Sequence, residues 1–481
     1  MRKNVIGIVV GLPLVWSLAA CSDDGDPGNA AGGAGGSSTT DATSAGGAAG
    51  ASSGAAGASS GAAGTSSGAA GETVDAGKDT GPVVDGAPAD AVPGALAVYT
   101  MSNAAAANQV FGFNRAADGT LTPMASPFAT GGKGSGMGLG EQGAIAFDRP
   151  NNRLYAVNAG DNSFSVFPVN ADGTLGTATH VETTAIDAGG VPLVGPKSIT
   201  FHENAVHALF QGNATTPSMI AGWTVGSAGG TPSATPIAGS ALPLSSTTQS
   251  VDPAQIEFSP DGQWLVVTEK QSGAAGAVMG AGSIDTFGVA AGGVASKKGF
   301  YPTASAGADA GLQMTPFGFE FAGDYLIVSE AGSTGVGSYT YANGAIAPAV
   351  GASQFLPTDP APCWVAVASN WAYVANARGP SIGGFTVNKA NGGLSNIGPV
   401  ANGTVASTGR MLPSDAGLVF QGPTDEFVTY DGQFLYALNA AVPSIGIFRI
   451  NNDGTLSRVG SGDYTTSTAA LAAGSAGIVA R

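Results

Sequence analysis

Two glutamates stand where apolar, strand-like runs end. Glu269 closes Val266-Val267-Thr268-Glu269-Lys270, and Glu330 closes Ile327-Val328-Ser329-Glu330-Ala331. Sister segments carry Asn158, Asn376 and Asn439 at the same place. A carboxylate so placed is a candidate general acid or base; it could equally hold the amides of the next loop, as an asparagine would. Lys197 is a candidate for neutralising a carboxylate or an oxyanion, with a plain salt bridge as the alternative. Glu141, Gln255, Lys270, Trp364 and Asp425 fall near the starts or ends of related runs and complete a set of candidate binding groups. Trp364 could stack on a ligand or pack in the core. Cys363 has no histidine nearby to activate it, so a buried thiol is expected rather than a nucleophile. His180, His202 and His207 show no metal-ligand spacing. No Gly-x-Ser-x-Gly elbow follows the linker either. Neither a metal nor a cofactor is expected.

The elements that must position these residues repeat along the chain. The clearest copies are Gly143 to Leu175, GAIAFDRPNNRLYAVNAGDNSFSVFPVNADGTL, and Phe427 to Leu456, FVTYDGQFLYALNAAVPSIGIFRINNDGTL. Short strands repeating every ~40–50 residues imply a β-propeller, because one small sheet cannot bury both of its faces alone. Aligning strand ends gives seven units, with second strands at Leu96–Met101, Leu154–Val157, Val206–Phe210, Trp264–Thr268, Tyr325–Ser329, Trp371–Ala375 and Phe434–Leu438. First strands precede all of these except Leu96–Met101. The missing pattern occurs at Ala476-Gly477-Ile478-Val479-Ala480. An all-β, seven-bladed β-propeller is therefore expected, its ring closed by the C-terminal strand completing the first blade.

First strands of a propeller line the central channel, and antiparallel pairing brings the end of each second strand beside the start of the first. Glu141, Lys197, Gln255, Glu269, Lys270, Glu330, Trp364 and Asp425 are thus expected around one channel mouth, the usual place for convergent polar groups to form a ligand site. The Asp-Gly pairs at Asp118, Asp172, Asp261, Asp431 and Asp453 read as hairpin turns rather than metal ligands. Two glycine-rich stretches, Thr130–Gly140 and Gln271–Gly282, interrupt the pattern and are expected to rim one face of the ring. The first runs into Gly138-x-Gly140-x-x-Gly143. That string precedes a strand rather than opening a helix, so it is not read as a dinucleotide site.

The N-terminal end looks like an address. Arg2 and Lys3 precede a short apolar run, Val5 to Leu18, and Leu18-Ala19-Ala20-Cys21 matches a bacterial lipobox. Residues 1–20 are expected to be a lipoprotein signal peptide, with Cys21 lipidated. Ser22 follows, not Asp, which favours the outer membrane or the surface of the cell envelope. Residues 21–93 are expected to be a flexible tether, since repeats such as ASSGAAG bury too little to offset ordering. Such a tether reaches roughly 45–50 Å. Residues 94–481 are left for the propeller. The chain's only cysteines are Cys21 and Cys363, so the head is expected to hold together without an intrachain disulfide. A net charge of −16 with 10% charged residues argues against nucleic acid, which needs a basic footprint. Membrane contact is expected through the Cys21 anchor only, and the head is expected to be a monomer.

Phe258-Ser259-Pro260-Asp261-Gly262, Leu154-Tyr155-Ala156-Val157-Asn158, Leu435-Tyr436-Ala437-Leu438-Asn439 and the Asp-Gly-Thr-Leu hairpins resemble the seven-bladed lactonase family, which includes 6-phosphogluconolactonase-like and 3-carboxymuconate-cyclase-like proteins. The resemblance covers about Ala95 to Arg481. It implies a lactonase or lactonising isomerase acting on a small lactone or acid at the channel mouth. Glu269 and Glu330 would be the acid and base, and Lys197 the anion holder. The family's Gly-Pro-Arg-His entry is Gly195-Pro196-Lys197-Ser198 here, and the next strand ends in Gln211-Gly212 without a glutamate. The other reading is a non-enzymatic, surface-displayed propeller that binds a small acid, a glycan or a protein partner.

Overall fold

The computed structural model describes residues 94–481 apart from internal segments, the longest being 184–190, 246–251, 271–281, 304–314, 350–354, 398–403, 440–443 and 466–470. The expected signal peptide and tether lie outside the described residues, as does nearly all of Gln271–Gly282. Among the described residues no helix is long and apolar enough to cross a membrane.

Seven antiparallel sheets succeed one another, each a blade with a four-strand path; five carry a short fifth strand, and a separate two-stranded ribbon, Arg410–Ser414 with Gly417–Gln421, precedes the last. The innermost strands are Ala476–Ala480 for blade 1, then Ile145–Asp148, Pro196–His202, Pro253–Phe258, Pro316–Ala322, Pro362–Ala368 and Asp425–Val428 for blades 2 to 7. Each touches the next, and the seventh touches the first, so the ring is closed. The closing strand pairs as the sequence implied: Val98 faces Ala480, Tyr99 faces Val479 and Thr100 faces Ile478. Arg481 fixes this end to blade 2, donating from Nη1 to the Asn170 carbonyl at 2.6 Å and from Nη2 to Asn152 Oδ1 at 2.9 Å.

Second strands such as Arg153–Asn158 and Phe434–Asn439 are buried along their whole length, because neighbouring blades cover both faces. The inward edge of each inner strand has no further strand to pair with, leaving backbone donors to satisfy. Side chains of other inner strands and entries meet several of them. Ser198 Oγ accepts from Ile256 N at 3.2 Å, Gln255 Oε1 from Phe319 N at 2.7 Å, and Asp425 Oδ2 from Ile478 N at 3.0 Å.

The Asp-Gly turns close hairpins as expected, with positive φ at Gly119, Gly173, Gly262, Gly432 and Gly454. Three of them also join blades. Tyr99 Oη donates to the Gly173 carbonyl at 2.6 Å, Tyr373 to Gly454 at 2.8 Å and Tyr436 to Gly119 at 2.8 Å. Each tyrosine lies on a second strand, and each glycine on the outer turn of the next blade round the ring.

Candidate functional site

The mouth at which the inner strands begin is built by blades 2, 3, 4, 6 and 7. Lys197, on the inner strand of blade 3, and Lys270, just past the second strand of blade 4, both reach Asp252 at the entry to blade 4. Their Nζ atoms lie 2.9 Å from Oδ1 and 2.9 Å from Oδ2 respectively. Both lysines are buried. Together they lower the Asp252 carboxyl to about 2, outweighing the effect of its own burial. Asp252 adopts φ +45, an unusual conformation for a non-glycine residue and one that surrounding contacts must hold. Lys270 Nζ also donates to the Gly140 carbonyl at 2.8 Å and lies 5.0 Å from the Phe317 ring centroid. The Thr130–Gly140 loop therefore does rim this mouth.

Glu141 and Gln142 cross the opening from blade 2. Trp364 of blade 6 donates from Nε1 to the Glu141 carbonyl at 2.6 Å. The Gln142 side chain binds the Val365 backbone both ways, donating to its carbonyl at 2.7 Å and accepting from its N–H at 2.9 Å. Gln142 N donates to the Ala254 carbonyl of blade 4 at 3.2 Å. One dipeptide thus ties three blades across the axis. The Glu141 carboxyl is 3% exposed, and its Oε2 has no hydrogen-bond partner among the described residues. Burial pushes it up to about 8, against the pull of Lys197 and Lys270 and a bond from the Ala144 N–H. Burial, then the Glu141 charge, raises Asp425 well above the carboxylate range.

The structure brings together Glu141, Lys197, Lys270, Asp425, Gln255 and Trp364 of the expected set. It does not bring Glu269 and Glu330 to them, and the expected convergence of these glutamates on Lys197 is corrected. Their backbones do lie at mouth level, opposite Pro253 and Pro316. Their side chains turn into their own blades. Glu269 lies beside Asp285 and Ser283 of the third strand, and burial with Asp285 raises its carboxyl. Glu330 accepts from Tyr339 Oη at 2.6 Å, and burial pushes it up to about 8. The sister asparagines show the direction, with a serine five residues on in each case, whereas Glu269 meets its serine fourteen residues on and Glu330 faces Gly335. Asn158, Asn376 and Asn439 each donate to a serine, Ser163, Ser381 or Ser444, opposite them on the next strand. Ser283 stands opposite Glu269 in the same way. Strand-ending residues at this position therefore face along their own blade.

Asp252 was missed by sequence reasoning; the Asp-Pro at a strand entry was its only mark. Gln255 donates to Glu257 Oε2 at 3.0 Å and to the Phe319 carbonyl at 3.0 Å, so it serves the channel wall. Cys363 is buried, with its Sγ 3.3 Å from the Ala361 carbonyl. No group of residues able to hold a metal occurs among the described residues.

Below Gln142 the channel holds a cavity of about 70 Å³, lined by Gln255, Glu257, Glu320, Asp425 and Glu426 among others. At roughly 10–15 Å³ per water, that is space for a handful of waters and no sugar-sized ligand. Burial raises Glu320 to about 7 and Glu426 well above its usual range.

These features define a class: a seven-bladed β-propeller with a carboxylate- and lysine-lined mouth at one end of its channel. No protein-family model matches the chain, and no curated protein matches it. Similar solved structures include a putative 6-phosphogluconolactonase from Bacteroides uniformis, 17% identical, covering 80% of this chain and 99% of that one with a TM-score of 0.56. Another from Bacteroides fragilis is 15% identical, covering 82% and 100%, with a TM-score of 0.52. A protein from Lactobacillus plantarum is 13% identical, covering 80% and 99%, with a TM-score of 0.54. At these identities the likeness is one of fold.

Proposed function

We propose that this chain is a lactonase-like propeller that opens or closes a small lactone at the channel mouth, with Glu141 as its acid/base group. The observation that carries this reading is the Glu141 carboxyl, buried beside Lys197 and Lys270 with Oε2 unpartnered and its proton held to about pH 8. A group balanced near neutrality can take and return a proton in one cycle. The two ammonium groups would stabilise negative charge on the acyl oxygen or on a substrate carboxylate. Asp425 would exchange the proton with Glu141. Substrate entry requires the Glu141–Gln142 crossing to shift, since Gln142 spans the mouth to Val365.

The test is proton release from sugar-derived and aliphatic lactones, using the full chain beside Glu141→Gln and Lys197→Met variants. Turnover that falls about 100-fold or more in Glu141→Gln supports the assignment. Turnover unchanged in that variant, or none from folded protein on any lactone, overturns it. The second outcome leaves a binding propeller for a small acid, glycan or protein, the reading that the tight Gln142 crossing favours.

The proposal includes location: cleavage before Cys21, lipid attachment there, and display from the cell envelope on the 21–93 linker. Mass spectrometry of the N-terminal peptide is expected to find acylated Cys21. An intact Met1 terminus on the mature protein would refute it.

A further inference from the structure

The proton that Glu141 handles has to leave the site, and the ring offers a way out that avoids the mouth. Opening a lactone adds water across the acyl C–O bond. The water oxygen bonds the acyl carbon, the ring oxygen leaves and takes up a proton, and the product acid ionises. One proton must therefore depart at each turnover, and closing a lactone brings one back. The Glu141 carboxyl is buried, its backbone held by Trp364 while Gln142 spans to Val365. A substrate seated at the mouth would cover its outward side.

On the inward side lies the channel cavity of about 70 Å³. Its lining runs from Gln142 and Asp425 at mouth level down to Phe147, Phe427 and Tyr430. Tyr430 belongs to the turn in which Gly432 N donates to the Thr429 carbonyl, so the cavity reaches the opposite face of the ring. Phe427 and Tyr430 are half-buried there.

Carboxyls stand along this passage. Asp425 is held at its upper end, accepting from Glu426 N at 2.8 Å and from Ile478 N at 3.0 Å. Farther down, Glu257 of blade 4 and Glu320 of blade 5 hydrogen-bond to each other. Two ionised carboxylates only accept, so that contact needs a proton. Gln255 Nε2 steadies Glu257 at 3.0 Å, and Phe321 N steadies Glu320 at 3.0 Å. Glu257 and Glu320 keep 8% and 6% exposure against 2% for Asp425, so contact with water grows away from the mouth. Among the described residues no lysine or arginine lines the cavity. The charges facing the route are Lys197 and Lys270 beside Glu141, Glu426 in the wall, and Arg149, 5.2 Å from the Tyr430 ring centroid.

We propose that the central channel is the proton path of the mouth: Glu141 passes its proton to Asp425, and channel waters with the Glu257–Glu320 pair carry it to the opposite face. This rests on the acid/base reading of Glu141. A proton hops along hydrogen bonds, so a passage too small for a sugar serves it, with room for a few waters at roughly 10–15 Å³ each. Substrate and proton then use opposite ends of one channel, and a filled mouth does not strand the proton.

The test reads proton exchange, which needs no lactone. The full chain is diluted from H2O into D2O in mildly acidic buffer, where Glu141 holds its proton. Infrared spectroscopy follows the C=O stretch of the Glu141 carboxyl, identified by its loss in Glu141→Gln, as deuterium replaces hydrogen. Ala146 lines the cavity, and Ala146→Leu narrows it. Glu320→Gln keeps the shape and removes a carrier. Exchange at Glu141 is expected to be about tenfold slower in each variant. Glu330, buried in its own blade and bonded to Tyr339, lies off the path, and its exchange is expected to be unchanged. Should Ala146→Leu not fold, Glu320→Gln decides alone. Exchange at Glu141 that keeps its native rate in a folded variant overturns the proposal. Equal slowing at Glu141 and Glu330 does so too, since it marks a stiffer ring and not a blocked path. A native spectrum without the Glu141 band overturns the acid/base reading itself.

Discussion

Asp252 gathers two buried ammonium groups onto one carboxylate, and this makes it the side chain on which the mouth depends. Asp252→Asn keeps the shape and removes the charge, leaving Lys197 and Lys270 buried without their partner. Removing one member of a buried ion pair costs about 3 kcal/mol. A urea titration is expected to show that loss, and a change near zero would mean that Glu141 takes up the lysines unaided. At this scale the sequence was half legible. Lys197, Lys270, Glu141 and Asp425 could be placed because entry positions follow from the blade register. The direction of Glu269 and Glu330 could not be read from strand ends alone. Alternation sends neighbouring residues to opposite sides, so Lys270 enters the mouth and Glu269 does not. Asp252 escaped notice because its backbone angle and its reach across blades are tertiary facts.

Single elements here have two duties. An Asp-Gly turn reverses the chain, with Asp118, Asp172 and Asp453 each accepting from the N–H and hydroxyl of the threonine two residues on. The same turn presents its glycine carbonyl to a tyrosine of the preceding blade. Hairpin chemistry was visible in the sequence; the latch was not, since it joins residues as far apart as Gly119 and Tyr436. Tyr373→Phe isolates that contribution, because the ring stays and only the hydroxyl goes. The expected cost is about 1 kcal/mol, the usual worth of one buried hydrogen bond, read as a lower denaturation midpoint with an unchanged slope. A change in slope instead would show that the seam itself had opened.

Across the whole molecule, buried carboxyls set the response to pH. Burial holds Glu320 at about 7 and Glu141 and Glu330 at about 8, all above the ~4.3 of an unfolded glutamate. The folded chain therefore binds more protons than the unfolded one between these limits, and stability must fall as pH rises through them. Asp252, held near 2, acts oppositely, adding stability that is lost only as pH drops below about 4. The melting temperature is expected to be highest near pH 4–5 and to decline toward pH 9. Glu330→Gln should flatten part of that decline while changing little at low pH, since the amide mimics the protonated acid. A profile that rises toward alkaline pH would contradict the burial of these groups. The ring was the most legible part of this chain, because seven repeats and one displaced strand leave a single arrangement that pairs every blade.

That displaced strand gives synthesis a final checkpoint. The ribosome releases the chain from its N-terminal end, so blade 1 emerges early with the inner edge of Ala97–Met101 still bare. It stays bare while six further blades are translated, until Ala476–Ala480 arrives to cover it. A product cut short by a nonsense codon or a protease would keep that edge exposed, ready to pair with a neighbour and aggregate. Any copy lacking Ala476–Ala480 therefore carries an unpaired inner edge that the closed ring conceals.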